Sequence, residues 1–485
     1  MATPDIVKAL FANIQSGYRS KTALLIADLL EHYGHDDPVG DYWLVVGQAA
    51  QRIGELDYAE QAGSRFVDRN KADLKRALLA GGLFAEIGRF HRAIELARPF
   101  LKTQPEDPSL NHLLGTVYQQ LGEPETALEH LAHVLKTAPL SGISWLTLAA
   151  QHRFESDDPL LLELQRLGPS MRGTEAPNRC QYHYAYGKAL LDIGQHDLAF
   201  DEFEKGAILA PGRDRYDLKK EKVSISRIIE GCQGIRPPGD EQQTNRPIFV
   251  VGLPRTGTTL LQRILAAEKT VAGGGEFGGM SVATMDLRRE GFDTWAKLAT
   301  LPDAGSQALQ TLADTYLYLL SQRFGEEGRI VDKSITNPRH TGLIAAAFPQ
   351  APIILIERDP LDTAWSCFRT CFSQGLHWSW SQKDIAAHFL AEQQLLDHWK
   401  SVLAERVIVV KYEEIVSDPA HVLPVLFQRC GLEYSDEILA FHEKKSPTTT
   451  ASVVQVNKPL TTRAVGAGNA LRERMREFSV AYGKT

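Results

Sequence analysis

Ile248-Phe-Val-Val-Gly-Leu-Pro-Arg-Thr-Gly-Thr-Thr-Leu-Leu-Gln-Arg-Ile-Leu265 opens on a short β-branched run, passes through a glycine-bearing loop and continues as a helix. A strand that ends in such a loop presents several backbone N–H groups to an anion at the start of the helix. Further apolar runs at Arg329–Asp332, Ile353–Glu357 and Val407–Val410 read as buried strands, with helical stretches between them such as Ile385–Leu403. Strands alternating with helices predict a parallel sheet covered on both faces, with ligands at the carboxyl ends of the strands. Residues 247–485 are expected to form this α/β domain.

Upstream the pattern is different, because the sequence repeats. Gly47, Gly81 and Gly115 are spaced by 34 residues, and so are Gly54, Gly88 and Gly122, and Ala59, Ala93 and Ala127. Phe84 and Tyr118 keep the same step, as do Pro105 and Pro139, and a further unit returns at Gly187, Gly194, Ala199, Phe203 and Pro211. The unit before that one keeps a first helix around Trp145 and Ala149 but loses the pattern from Glu155 to Pro177, and reads as degenerate with a small insertion. Leu113–Pro139, LLGTVYQQLGEPETALEHLAHVLKTAP, resembles the tetratricopeptide repeat. A small residue at the eighth and twentieth positions lets two antiparallel helices approach closely, and proline ends the second. The resemblance implies an α-helical tetratricopeptide-repeat solenoid over residues 1–211, capped by a leading helix near Ile6–His32. Residues 212–246 read as a helix followed by a linker rich in Pro, Gly and Gln. The solenoid is either a scaffold for the second half or a groove for a peptide or protein partner.

Composition excludes several classes. The net charge of −7 argues against a surface built for nucleic acid, though not against one basic pocket. Five cysteines imply no disulfide framework. The first residues lack the basic-then-apolar pattern of a secretory signal, and no apolar run reaches the ~18 residues of a membrane span, so a cytoplasmic location is expected. There is no HExxH and no paired Cys-x2-Cys; Cys367 and Cys371, one helical turn apart, read as core packing, and no metal is expected.

The glycine loop matches G-x4-G-K-[ST] except that Thr258 stands where the lysine belongs. That lysine reaches the β- and γ-phosphates, so its absence disfavours a kinase or ATPase. A 5′-phosphosulfate carries less charge and can be held by Arg255, Thr258, Thr259 and backbone amides of the loop, which includes Thr256 and Gly257. The string Pro254-Arg-Thr-Gly-Thr-Thr259 resembles the phosphosulfate loop of sulfotransferases, and residues from Pro247 onward, preceded by repeats, are similar to bacterial tetratricopeptide-repeat sulfotransferases and to tyrosylprotein sulfotransferases.

The resemblance implies 3′-phosphoadenosine-5′-phosphosulfate as donor and 3′,5′-ADP as product. Arg358 and Ser366, in an Arg-x7-Ser pair, look like the 3′-phosphate site, and a guanidinium with an added hydroxyl suits that group. Asp332-Lys-Ser-Ile-Thr-Asn337 is similar to the family's Asp-Lys-x3-Asn string, which gives Lys333 the bridging oxygen as the sulfuryl group leaves. Tyr412 is implied at the adenosine end, and Ser452 and Lys458 in a C-terminal loop closing over the donor. Arg255 and Ser452 would stabilise charge beside Lys333. Arg369 and Lys411 occur in comparable contexts, but an exposed ion pair is the expectation for both. Glu276 follows Gly273-Gly-Gly275, read as a sharp turn, and by resemblance is the general base for an acceptor hydroxyl (or amine); His340 is the alternative. Relatives carry Trp where Val454 stands and Arg-Trp within the segment that here reads Val465-Gly466-Ala467-Gly468, which bears on the acceptor side. Two other readings stay open: a repeat-based binding or scaffold protein with a vestigial transferase half, and a small-molecule kinase. The acceptor class is open among peptide tyrosine, glycan, lipid headgroup and phenol.

Overall fold

A computed structural model describes residues 5–33, 38–232, 244–289, 302–372, 376–443 and 459–483. Short polar caps and prolines punctuate its first half. Asp73, Asp107, Ser141 and Asp158 each accept backbone N–H groups at a helix start, and Pro108, Pro124 and Pro159 open helices where their missing donor costs nothing. The result is a row of helix pairs: Trp43–Arg52 with Leu56–Asp68, Leu74–Glu86 with Phe90–Thr103, Pro108–Leu121 with Pro124–Thr137, and Ala176–Asp192 with His196–Leu209. Most of the repeated small residues mark helix–helix contacts: Gly47, Gly115 and Gly187 lie within a pair, whereas Gly81 meets Leu113 of the next pair. A methyl on Gly47, Gly115 or Gly187 would lie 3.3, 3.3 or 3.1 Å from the carbonyl oxygen of Ala59, Ala127 or Ala199. Gly54, Gly88, Gly122 and Gly194, in the turns, have φ near +80.

Two expectations change here. The leading helix is two helices, Asp5–Ser16 and Arg19–His32, broken at Gly17 with φ +74. The degenerate unit forms a helix, Pro159–Met171, behind Gly142–Gln151; Leu161, Leu164 and Leu167 bury its inner face even though the repeat signature is gone.

In the second half, β1 (Pro247–Val251), β2 (Val271–Gly275), β3 (Arg329–Asp332), β4 (Ile353–Glu357) and β5 (Val407–Lys411) form a sheet in the order β2-β3-β1-β4-β5 with every pairing parallel. Alternate residues of β1 serve opposite cores: Phe249 and Val251 pack with Tyr316 and Phe348, whereas Ile248 and Val250 pack with Leu261 and Ile408. Burial on both faces is why the strand reads as an unbroken apolar run. The chain leaves β1 toward β2 but leaves β4 toward β5, so the carboxyl ends of these neighbouring strands open a crevice.

β2 corrects the reading of Gly273–Gly275 as a turn, since those glycines are the end of an edge strand. A methyl on Gly273 would meet the Gln262 amide at 2.5 Å, and one on Gly274 the Val331 carbonyl at 2.9 Å. Pairing with β3 overrides glycine's poor strand propensity.

The helical region holds the sheet region at several places. Asp286 accepts the Arg19 and Ser20 N–H groups at 2.8 and 3.0 Å, Glu55 binds Arg19 and Tyr318, and Phe200 stacks on Trp365. Helix Leu218–Gly231 also docks, with Ile225 and Ile228 against Leu395 and Trp399. Among the described residues, no helix is long and apolar enough to cross a membrane.

Candidate active site

The loop after β1 is shaped by close approaches. A methyl on Gly252 would sit 2.8 Å from the Ile356 carbonyl, and one on Gly257, where φ is +104, 2.5 Å from the Tyr412 ring. Arg255 is the one non-glycine residue at positive φ among the described residues (+70), a conformation costing about 1–3 kcal/mol. The contacts it makes over-determine it: its Nε donates to Ser366 Oγ at 3.0 Å, and its carbonyl accepts from Arg358 Nη1 at 2.9 Å. Burial above all lowers the Arg255 pKa from the ordinary arginine value. Thr256 donates its hydroxyl to the Leu253 carbonyl at 2.7 Å and so serves the loop itself. Helix Thr258–Leu265 then begins at Gly257 with no side-chain cap, and Thr259 is buried in its first turn.

Arg358 and Ser366 therefore meet around Arg255. Arg358 follows β4, and Ser366 lies buried on helix Pro360–Phe368. Tyr412, at the end of β5, covers the Arg358 guanidinium at 4.5 Å. Beside them Glu357, Arg358, Asp359, Lys411 and Glu413 line a cleft of about 380 Å³. Lys411 is exposed and pairs with Glu414 at 3.3 Å. Arg369 departs from the expected exposed pair. It is half-buried with its guanidinium 5.8 Å over Trp365, and among the described residues no carboxylate lies within 4 Å of it. Burial, together with Arg255 and Arg358, pulls its pKa down to about 10. Arg369 is thus close enough to feel the charges of Arg255 and Arg358.

Glu276 and Lys333 are the first residues beyond β2 and β3, and because those strands are neighbours their side chains meet: Lys333 Nζ lies 2.8 Å from Glu276 Oε1. The lysine is 2% exposed and the glutamate 41%. Burial lowers the Lys333 pKa from the ordinary lysine value, and Glu276 opposes that shift. Beneath them, buried Asp332 accepts from Tyr316 Oη at 2.9 Å and Ser334 N at 2.9 Å. Asn337 Nδ2 donates to the carbonyls of Asp332 (3.1 Å) and Val250 (3.2 Å), tying the turn after β3 to β1. In the Asp-Lys-x3-Asn string, then, Asp332 and Asn337 build the turn while Lys333 faces the crevice. His340 Nε2 lies 3.2 Å from Ser281 Oγ, which lies 3.0 Å from Thr336 Oγ1.

Ser452 and Lys458 lie outside the described residues. The segment Gly466-Ala467-Gly468 is held in place: Asp362 accepts the Gly466 and Gly468 N–H groups, each at 2.7 Å. A methyl on Gly468 would lie 3.0 Å from the Leu361 carbonyl, so this backbone path has no room for the tryptophan of relatives at that position.

Away from the crevice, Glu221, His388 and Glu392 bring their ligating atoms within 4.8 Å of one another. A cation is already there, since the Arg339 guanidinium bridges Glu221 and Glu392. Burial tends to raise the Glu221 pKa, but His388 and Arg339 outweigh it and hold the carboxyl near about 2. The cluster fastens helix Leu218–Gly231 to the sheet region.

Residues 247–436 match the Sulfotransferase family. The chain is 24% identical over 427 residues to an uncharacterized protein of Aquifex aeolicus, covering 84% of this chain and 55% of that one. It is 24% identical over 213 residues to Protein-tyrosine sulfotransferase 2 of Gallus gallus, covering 40% and 54%. The chain thus spans about half the length of these curated relatives. Among solved structures, it is similar to the sulfotransferase domain of the Synechococcus PCC 7002 olefin synthase (21% identity, 51% of this chain and 98% of that one, TM-score 0.36). It is also similar to the sulfotransferase domain of the curacin biosynthetic pathway (17% identity, 50% and 99%, TM-score 0.35).

Proposed function

With a sulfotransferase family domain over residues 247–436, we propose that the protein transfers a sulfuryl group from 3′-phosphoadenosine-5′-phosphosulfate to an acceptor hydroxyl or amine. The observation that carries this reading is the Lys333–Glu276 pair standing in the same crevice as the Arg255 loop. The donor's chemistry fits the residues present. Arg255 and Arg358 meet beside a glycine cradle that a methyl group would fill, and Thr258 replaces the lysine a triphosphate needs.

The donor supplies an activated sulfur on a phosphate leaving group. The loop amides, Arg255, Thr258 and Thr259 bind its 5′ end, Arg358 and Ser366 its 3′-phosphate, and Tyr412 flanks the adenosine. Glu276 accepts the acceptor's proton as the new S–O (or S–N) bond forms. Lys333 neutralises the bridging oxygen as the old S–O bond breaks. Lys333 binds one carboxylate oxygen of Glu276, Oε1, at 2.8 Å, so the acceptor hydroxyl can approach the other oxygen while a second N–H of the ammonium serves the leaving oxygen. Ser452 and Lys458 complete the donor contacts in this reading. The similarity to Protein-tyrosine sulfotransferase 2 of Gallus gallus supports a protein or peptide acceptor, carried to Glu276 along the helix pairs.

Calorimetry tests the donor assignment. The wild type is expected to bind 3′,5′-ADP more tightly than 5′-AMP or ATP with magnesium, and Arg358→Ala to lose about 2–4 kcal/mol of the preference over 5′-AMP. Equal affinity of the wild type for 3′,5′-ADP and 5′-AMP overturns it.

A further inference from the structure

Asp362 is 2% exposed and carries its carboxylate into the first turn of helix Pro360–Phe368. It does not cap that helix. Asp359 already does so, accepting the Leu361 and Asp362 N–H groups at 2.9 and 3.0 Å. Both Asp362 oxygens go instead to a segment about a hundred residues away, one to Gly466 N and one to Gly468 N at 2.7 Å, the short lengths of charge-assisted bonds. Two residues before Gly466, the Ala464 carbonyl accepts from Arg358 Nη2 at 2.6 Å. Arg358 Nη1 holds the Arg255 carbonyl, and Arg255 Nε holds Ser366, which lies one turn beyond Asp362 on the same helix.

These bonds close a circuit that begins and ends on helix Pro360–Phe368. Within it the Arg358 guanidinium is pinned at both terminal nitrogens and covered by Tyr412. Its Nε is buried with no partner among the described residues. A buried, unused guanidinium donor is costly unless a ligand meets it.

We propose that Asp362 is the positioning residue of the 3′-phosphate subsite: by gripping the Gly466 and Gly468 amides it keeps Ala464 against Arg358, and so holds the guanidinium where the anion meets it. This inference rests on the donor assignment above. It makes the Gly466-Ala467-Gly468 sequence part of the donor site, with glycine at 468 needed for the segment to lie on Leu361.

The variant Asp362→Asn keeps size but turns an N–H donor toward one of the two backbone N–H groups. Hydrogen exchange of the Gly466 and Gly468 amides should accelerate even without nucleotide. By calorimetry, 3′,5′-ADP affinity should fall about 10-fold while 5′-AMP affinity stays within about two-fold. A merely structural role would weaken both nucleotides alike. Gly468→Ala, which lifts the segment and leaves the carboxylate intact, should shift the same ratio in the same direction. If the wild type prefers 3′,5′-ADP and Asp362→Asn keeps that preference, or if the two amides stay protected in the variant, the inference is overturned. A wild type without the preference overturns the donor assignment, and the inference with it.

Discussion

Glycine works differently in the two halves of this molecule. In the helix pairs Gly47, Gly115 and Gly187 each face the carbonyl of the alanine 12 residues further on (Ala59, Ala127 and Ala199), and the contact joins one helix to another. In the sheet half Gly252, Gly257, Gly273 and Gly274 press on Ile356, Tyr412, Gln262 and Val331, at no fixed spacing, and all four surround the crevice. The first set removes side chains so that helices can pack. The second removes them so that strand ends and loops can share one small volume. The same residue type therefore supports stability in one region and a site in the other, and mutations should separate the two.

The largest effect belongs to the crevice chemistry. Under the proposed assignment Glu276→Gln keeps the donor subsites and removes the proton acceptor, so single-turnover sulfation should slow about 10²–10⁴-fold with donor affinity nearly unchanged. Turnover within a few-fold of wild type would make Glu276 a bystander. Next comes a matched pair of glycine substitutions. Gly257→Ala forces a methyl toward Tyr412 at a φ that alanine resists, and should weaken 3′,5′-ADP binding about 10-fold or more. Gly115→Ala pushes a methyl to within 2.8 Å of Leu131, and should cost about 1–3 kcal/mol in denaturant unfolding while the folded protein binds nucleotide as before. If both variants lose stability and binding in the same proportion, the division between the two glycine sets collapses. The smallest effect sharpens the comparison. Gly82 lies inside helix Leu74–Glu86 with open space where a methyl would go, so Gly82→Ala should raise stability by about 0.5–1 kcal/mol.

How much was legible follows from how local each signal is. Four of the five strands were readable because burial on both faces leaves continuous β-branched runs, as in Ile353–Glu357. β2 was not, since Val-Ala-Gly-Gly-Gly has no strand signature and exists as a strand through its pairing with β3 and the Gln262 carboxamide bonded to Gly275 N. Likewise Pro159–Met171 lost the repeat's small residues, so the 34-residue period gave no sign of the helix that its buried leucines form.

The sequence by itself determined that helix pairs precede a strand–loop–helix unit, because period, capping and burial pattern are properties of residues close together in the chain. It also named Arg255, Arg358, Ser366, Lys333 and Glu276 one at a time. The tertiary structure alone decided which of them touch. Lys333 meets Glu276 because β2 and β3 are neighbours, Arg358 reaches the Arg255 carbonyl because β1 and β4 are neighbours, and Asp362 reaches Gly466 across about a hundred residues. Strand order and long-range hydrogen bonds depend on how separate segments pack, and no local pattern encodes that choice.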